Sequence, residues 1–535
     1  MTLAAVLAAA LLSATPPAKA PAAPPPPPVP VALQNPGFEA DGTAVPRPSG
    51  WKTRGDKPAS FVEAGGHTSA FRLSHWSVTA FDVETRQTLT GLANGKYTLT
   101  AWIRRSAGDN RAYIALKDCG IDGRTYLPVS TGEWLRIVVN AEVRHHSCTI
   151  VLRTKAGAGE WSNFDDVSFA RGSARLSVLG GDVSSLTKSE AFGGIYRTES
   201  GRPRDALAIL KQHGMNWIRV RVWVDPADGY HDLDELLSMA RRAKALHMKV
   251  LVDLHYSDFW ADPGKQWTPA AWQGQTFPQL KATFTDYTRG VVQALVHQGT
   301  PPDMIQLGNE INPGMLWDYA ATWTGDSTAD DGTGVQLTVH HTENWPNLAE
   351  LLTAGYDAVK SASPSTKVML HLAEGGDNGT FRWWFDNITT RNVPFDVIGA
   401  SYYGYWHGTL AALQYNLDDV TARYGKDIIV VETAYAFTLA DDDDWGNVIG
   451  DPSQLVSGHP ATPAGQAANF RDVMSVVRAV PDGRGLGVFY WDPTWTGVVG
   501  NGWSPRDPSS GNAWENQALF DFSDRPLPAM NEFRP

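Results

Sequence analysis

From Leu176 to the C-terminus the chain repeats one pattern: a short run of β-branched and other apolar residues, then a longer stretch with apolar residues three and four apart. The runs are RLSVLGGDVS, MNWIRVRVWV, MKVLVDLHY, DMIQLGNEI, TKVMLHLAE, FDVIGASYY, DIIVVETAY and GLGVFYWDP, which makes eight expected strands. Between them, LDELLSMARRAKALH puts Leu233, Leu236, Leu237, Ala240 and Ala243 on one helical face, and WPNLAELLTAGYDAVKSA does so with Leu348, Leu351, Leu352, Tyr356 and Val359. Strands alternating with amphipathic helices predict βα units on a parallel sheet, and eight units over about 360 residues predict a (β/α)8 TIM barrel. An open doubly wound sheet is the alternative, but no glycine-rich phosphate loop follows the first run. In a closed barrel the chemistry sits where strands end. Glu310 in DMIQLGNEIN and Glu432 in DIIVVETAY close the fourth and seventh runs, so both are expected to face one cavity.

From Val31 to Arg171 the pattern changes to short alternating segments such as KYTLTAWIRR, AYIALKD and CTIVLRTKA, separated by turn residues and without a helical period. Seven or eight such strands predict an all-β sandwich of jelly-roll type. Before it, LAAVLAAALLSA with Ala18-Lys19-Ala20 has the length and small residues of a signal peptide without the usual basic start, and PAAPPPPPVP reads as an extended tether. The expected organisation is therefore a signal peptide (1–20), a proline-rich linker (21–30), a β-sandwich (31–171) and a barrel (172–535), in a secreted, extracellular protein.

Net charge and cysteines narrow the partners. A net charge of −12 and a pI near 5.6 give no electrostatic footprint for nucleic acid or an anionic membrane. Cys119 and Cys148 are the only cysteines; in an exported protein they read as a disulfide worth about 3 kcal/mol, with two buried free thiols as the alternative. Asp253-x-His255 does not complete a zinc site, so neither a catalytic metal nor an organic cofactor is expected. The chain carries 21 tryptophans, more than packing alone calls for, and flat rings suit the apolar faces of sugars. In the first domain Trp51, Trp76, Trp134 and Trp161 are the candidate sugar platform, with at least two of them expected in the core.

Two resemblances sharpen this. NPGFEADG, SGW and WSNFDDVSFA resemble the ends of jelly-roll carbohydrate-binding modules, which implies Glu39 and Asp166 as ligands of a structural calcium. LGGDVSSL, GMNWIRVRVWVDP, LVDLHYSDFWADPGKQ, IQLGNEIN, VVETAY and NQALFDFSDRPLP resemble, in collinear order, the arabinogalactan endo-β-1,4-galactanases of glycoside hydrolase family 53. That resemblance implies a (β/α)8 barrel that cleaves β-1,4-galactan with retention, Glu310 as general acid/base and Glu432 as nucleophile. The two carboxyls would then stand about 5–5.5 Å apart, the first kept protonated and the second ionised. Arg221, at the end of the second strand, is the expected cationic partner of Glu432, while Arg219 on the same face reads as a structural ion pair. Asp182, ending the first strand, would stand behind the site. Asn309 would bond the sugar 2-hydroxyl; His255, Trp260, Tyr402, Tyr403 and Trp491 match as further substrate-binding positions, with one of the two tyrosines in the cavity.

Some members of the family bind calcium after strand seven, and here Asp441, Asp443 and Asn447 have the spacing, with Trp445 where a histidine can serve. The expected partner is a polysaccharide and the chain is expected to act as a monomer. Mannan or a β-glucan would be served by the same two glutamates, and a non-catalytic glycan-binding protein is the alternative from another class.

Overall fold

The computed structural model describes residues 31–108, 110–330, 335–507 and 509–535. The expected signal peptide and linker lie outside the described residues.

The N-terminal part is a β-sandwich of two antiparallel sheets. One contains Lys52–Gly55, Phe81–Thr90, Ser147–Ala156, Tyr113–Lys117 and Gly123–Tyr126; the other contains Ser60–Ala64, Phe71–Trp76, Trp161–Arg171, Gly95–Arg105, Ser130–Val143 and Gly120–Ile121, each in spatial order. Alternation decides which side faces in: Leu99, Ala101 and Ile103 are fully buried, whereas Thr100 and Trp102 between them are not. The eleven strands exceed the seven or eight expected, because pieces such as Lys52–Gly55 and Gly120–Ile121 are too short to show alternation. Cys119 and Cys148, both buried, are joined as a disulfide.

All eight expected barrel strands form and close in chain order, every neighbouring pair parallel: β1 (Val178–Asp182), β2 (Trp217–Val222), β3 (Lys249–Leu254), β4 (Met304–Leu307), β5 (Lys367–Leu372), β6 (Val397–Ser401), β7 (Asp427–Glu432) and β8 (Gly485–Tyr490). Around them lie α1 (Leu186–Ala191), α2 (Ala206–Gln212), α3 (Leu233–Ala245), α4 (Phe277–His297), α5 (Trp345–Ala362), α6 (Asn378–Thr390), α7 (Leu410–Tyr424) and α8 (Pro463–Ala479). Their starts are capped as local chemistry requires: Asp232, Asn344, Asp377, Thr409 and Thr462 each accept from a backbone N–H in the first turn of α3, α5, α6, α7 and α8.

Inward-pointing side chains stack in layers. Trp217, Leu251, Met304, Met369, Val397, Ile429 and Phe489 make an apolar plug inside the barrel. Two residues further along their strands come Arg219, Asp253, Gln306 and His371, so the same alternation that builds the plug puts a polar layer above it. β7 breaks that rule. Ile429 and Val431 both face the barrel interior, which on strict alternation would send Glu432 out toward the helices. Instead the β6–β7 register slips between Ala400↔Val430 and Ser401↔Glu432, an irregularity of the kind that re-aims a side chain.

Candidate active site

The polar layer opens upward into a cavity of about 520 Å³ whose wall includes Glu310 and Glu432. Glu310 lies three residues beyond β4 with φ of +48°, a left-handed backbone unusual for a residue with a Cβ. Tyr256, Glu374 and Asp492, just past β3, β5 and β8, share that conformation, so strain gathers around the mouth. Gly308 at φ +79° makes the sharp exit from β4, where a Cβ would stand 2.6 Å from both Ile311 and Met315 side chains.

Arg219 organises the floor. Its guanidinium donates to Asp182 at 2.8 Å, Glu432 at 2.7 Å, Asp253 at 2.8 Å and Asn309 Oδ1 at 2.8 Å, and it is 1% exposed. Burial alone would make it easier to deprotonate, yet Asp253, Glu432 and Asp182 hold it firmly protonated. The expected pairing of Arg221 with Glu432 is therefore corrected. Arg221 sits one layer nearer the mouth, bonds Asp492 at 2.9 Å and stacks over Trp260 at 4.0 Å, so it lines the cavity without reaching Glu432.

The two glutamates have different surroundings. Burial first, and the charge of Glu432 second, raise the Glu310 carboxyl well above the ordinary range, with Arg219 only a weak counterweight. Burial also raises Glu432, but Arg219 pulls against it directly and the Tyr403 hydroxyl donates to its Oε2 at 3.0 Å. The environments thus favour a proton on Glu310 and a charge on Glu432.

His255 Nδ1 accepts from Trp223 Nε1 at 3.2 Å and the Ala261 N–H at 3.3 Å, which leaves Nε2 to donate to Asp253 at 3.0 Å. Asn309 spends Nδ2 on the Ala261 carbonyl at 2.8 Å and Oδ1 on Arg219, leaving one amide hydrogen over. Of the tyrosine pair Tyr403 lines the cavity; Tyr402 turns away and donates to the Gly408 carbonyl at 2.9 Å, because neighbours on an extended chain face opposite ways. Trp260 and Trp491 line the wall as expected, but so do Trp406, Trp445, Trp495, Trp503 and Trp514. The last three sit on the long segment after β8, whose tryptophan density was the one sequence signal for them.

Beside the mouth, Asp441, Asp443 and Glu515 present oxygens within 4.8 Å of one another. Among the described residues, Glu515 Oε2 and Asn447 Oδ1 there are buried without a hydrogen bond, and burial with the nearby aspartates pushes the Glu515 carboxyl up to about 7. Hard oxygens left unsatisfied in this way fit a calcium ion. Glu515 is far away in sequence and was not foreseen; Trp445 serves instead as cavity wall. In the sandwich, Glu39 Oε1 accepts from the Phe71 N–H at 2.6 Å and Asp166 Oδ2 from His67 and Thr68 at 2.8 Å each. Trp51 packs on Phe38 and is core, alone among the four first-domain candidates; Trp76 is 42% exposed, and Trp134 and Trp161 are half-buried.

A closed parallel barrel with two unlike buried carboxyls in an aromatic cleft at its strand ends defines a barrel glycoside hydrolase. The family model of glycosyl hydrolase family 53 matches residues 178–533, and the chain belongs to that family. An endo-β-1,4-galactanase of Bacillus subtilis is 34% identical over 391 residues, covering 67% of this chain and 85% of that protein. The solved GH53 catalytic domain of Ignisphaera aggregans is 37% identical with a TM-score of 0.61, covering 68% of this chain and 96% of that one. A solved fungal β-1,4-galactanase is 33% identical with a TM-score of 0.56, covering 67% and 99%.

Proposed function

We propose that the protein is a secreted, retaining endo-β-1,4-galactanase acting on the galactan side chains of pectic arabinogalactan. The observation that carries the mechanism is the unequal treatment of the two glutamates: Glu432 is held by Arg219 and Tyr403, while Glu310 is buried without a cation of its own. Glu432 Oε attacks the anomeric carbon as Glu310 gives its proton to the leaving oxygen, forming a covalent glycosyl-enzyme. Glu310, now a carboxylate, takes a proton from water, which attacks the anomeric carbon and releases Glu432 with net retention. Galactan as substrate rests on the names of the relatives, since the carboxyl pair would serve any β-glycan. In the same reading Asp441, Asp443, Asn447 and Glu515 hold a calcium that pins the post-β7 segment to the post-β8 segment, and the sandwich binds glycan. Reducing-sugar release from linear β-1,4-galactan, compared with mannan and β-glucan, tests the substrate. Galactan-selective release that Glu432→Ala abolishes is the expected result, and release from mannan or β-glucan instead would keep the barrel chemistry but discard galactan.

A further inference from the structure

Six carboxyl side chains line the catalytic cavity. Asp182, Asp253 and Glu432 are bonded to Arg219, Asp262 is paired with Lys265, and Glu310 is the buried acid. The sixth, Glu374, stands two residues past β5 and is exposed; among the described residues its carboxylate has no hydrogen bond or ion pair. A lone charge is ordinary on an outer surface. Glu374 instead faces the reaction cleft, on a backbone with φ of +63°, the left-handed region that disfavours any residue with a Cβ.

The turn that carries it is bolted on both sides. Asn312, two residues beyond Glu310, accepts from the Ala373 N–H at 2.7 Å and donates to the Ala373 carbonyl at 3.3 Å. The Gly375 N–H donates to the Ser401 carbonyl at 2.8 Å, and the Asn416 amide donates to the Gly375 carbonyl at 2.7 Å. The Glu374 carbonyl itself accepts from the Asp377 N–H at 2.8 Å. A Cβ on Gly376 would run into the His407 carbonyl, so this turn packs directly on the β6–α7 connection, where Trp406 also lines the cavity. Glycine would suit position 374 better, yet a glutamate is held there with its carboxylate unspent.

The reaction geometry says which part of the substrate lies beside it. Glu432 attacks one face of the anomeric carbon and the leaving oxygen departs from the other, so Glu310 stands on the leaving side. β5 follows β4 round the barrel, and Asn312 ties the Glu374 turn to the Glu310 segment itself. The departing sugar is thereby set against Glu374 and the exposed indole of Trp406. An indole covers the apolar C–H surface of a pyranose, and an unpaired carboxylate accepts from its hydroxyls.

We propose that Glu374 and Trp406 bind the galactose unit that leaves, with Glu374 accepting from hydroxyls next to the scissile oxygen and so holding that oxygen at the Glu310 proton. The proposal rests on the galactanase reading. It makes Glu374 a substrate-binding residue of the leaving-sugar site.

The test uses the full chain on two substrates: β-1,4-galactotetraose, whose leaving group is a sugar, and nitrophenyl β-1,4-galactobioside, followed by nitrophenol release. In Glu374→Ala the drop in kcat/KM on the tetraose is expected to exceed the drop on the aryl glycoside by about 10–100-fold, the size of a lost hydrogen bond to a charged group. Trp406→Ala should fall in the same selective sense. Glu374→Gly, which relieves the backbone, should show the same selective loss while melting no lower than the wild type. Equal drops on both substrates would make Glu374 a structural residue and overturn the assignment; so would an undiminished rate on the tetraose. Linear galactan with the wild type tests the reading beneath. No release there overturns reading and proposal together, whereas release combined with an unselective variant overturns the proposal alone.

Discussion

At the residue scale, function turns on how one arginine is shared. Arg219 pairs with three buried carboxylates, of which Glu432 is the most exposed. Sequence alternation put Arg219 and Arg221 on the same inner face, but which of them met Glu432 depended on height within the barrel, a coordinate that one strand does not encode. Two predictions belong here. Glu310→Gln should lower turnover of polymer about 10²–10⁴-fold while keeping a burst of aryl release from an activated aryl galactoside, which needs no protonation; Glu432→Gln should lose both. Equal loss of the burst in the two variants would reverse or void the roles. Activity needs Glu432 ionised and Glu310 protonated, so kcat/KM should be bell-shaped in pH, with limbs that belong to the coupled pair. Removing the cation in Arg219→Met raises the proton affinity of Glu432, so the acid limb should move to higher pH. The same variant leaves buried charge uncompensated and should cost about 3–5 kcal/mol in a denaturant titration; an unmoved limb would show that Arg219 is structural only.

At the element scale, the strands and helices of the barrel were legible because each satisfies a local period, 2 in the strands and 3.6 in the helices. The register slip at β7 was not legible. DIIVVE reads as an unbroken strand, and only the closure of eight strands into one ring determined that Glu432 should turn inward. The acidic loop after β7 was visible in LADDDDWGN, yet its most deeply buried acid, Glu515, comes from the segment after β8. If these oxygens hold calcium, adding the ion to chelator-treated protein should raise the melting temperature, with a stabilisation of about 2.7 kcal/mol at a hundredfold excess over Kd. Glu515→Ala should remove that gain; an equal gain in the variant would place the ion elsewhere.

At the scale of the whole molecule, the sandwich and barrel share an interface of directed bonds through Arg136, Gln414 and Asp418, and their buried apolar residues run together as one cluster. The disulfide lies wholly within the sandwich, bridging residues 29 apart. Cys148→Ser should therefore lower the sandwich transition by about 2–5 kcal/mol in thermal unfolding and leave activity on short galacto-oligosaccharides intact. A loss of barrel activity at ambient temperature would mean that the two parts unfold as one.

Sequence by itself determined the barrel, the sandwich, and the placement of two glutamates at strand ends, because those follow from periodicities read over ten or twenty neighbouring residues. Tertiary structure alone decided that Arg219 rather than Arg221 faces Glu432, that Tyr403 rather than Tyr402 enters the cleft, and that Glu515 joins Asp441 and Asp443. The reason is physical. Local pattern sets which face of an element is apolar, whereas partners in a site come from elements far apart in the chain, and their distances are fixed only when the barrel closes.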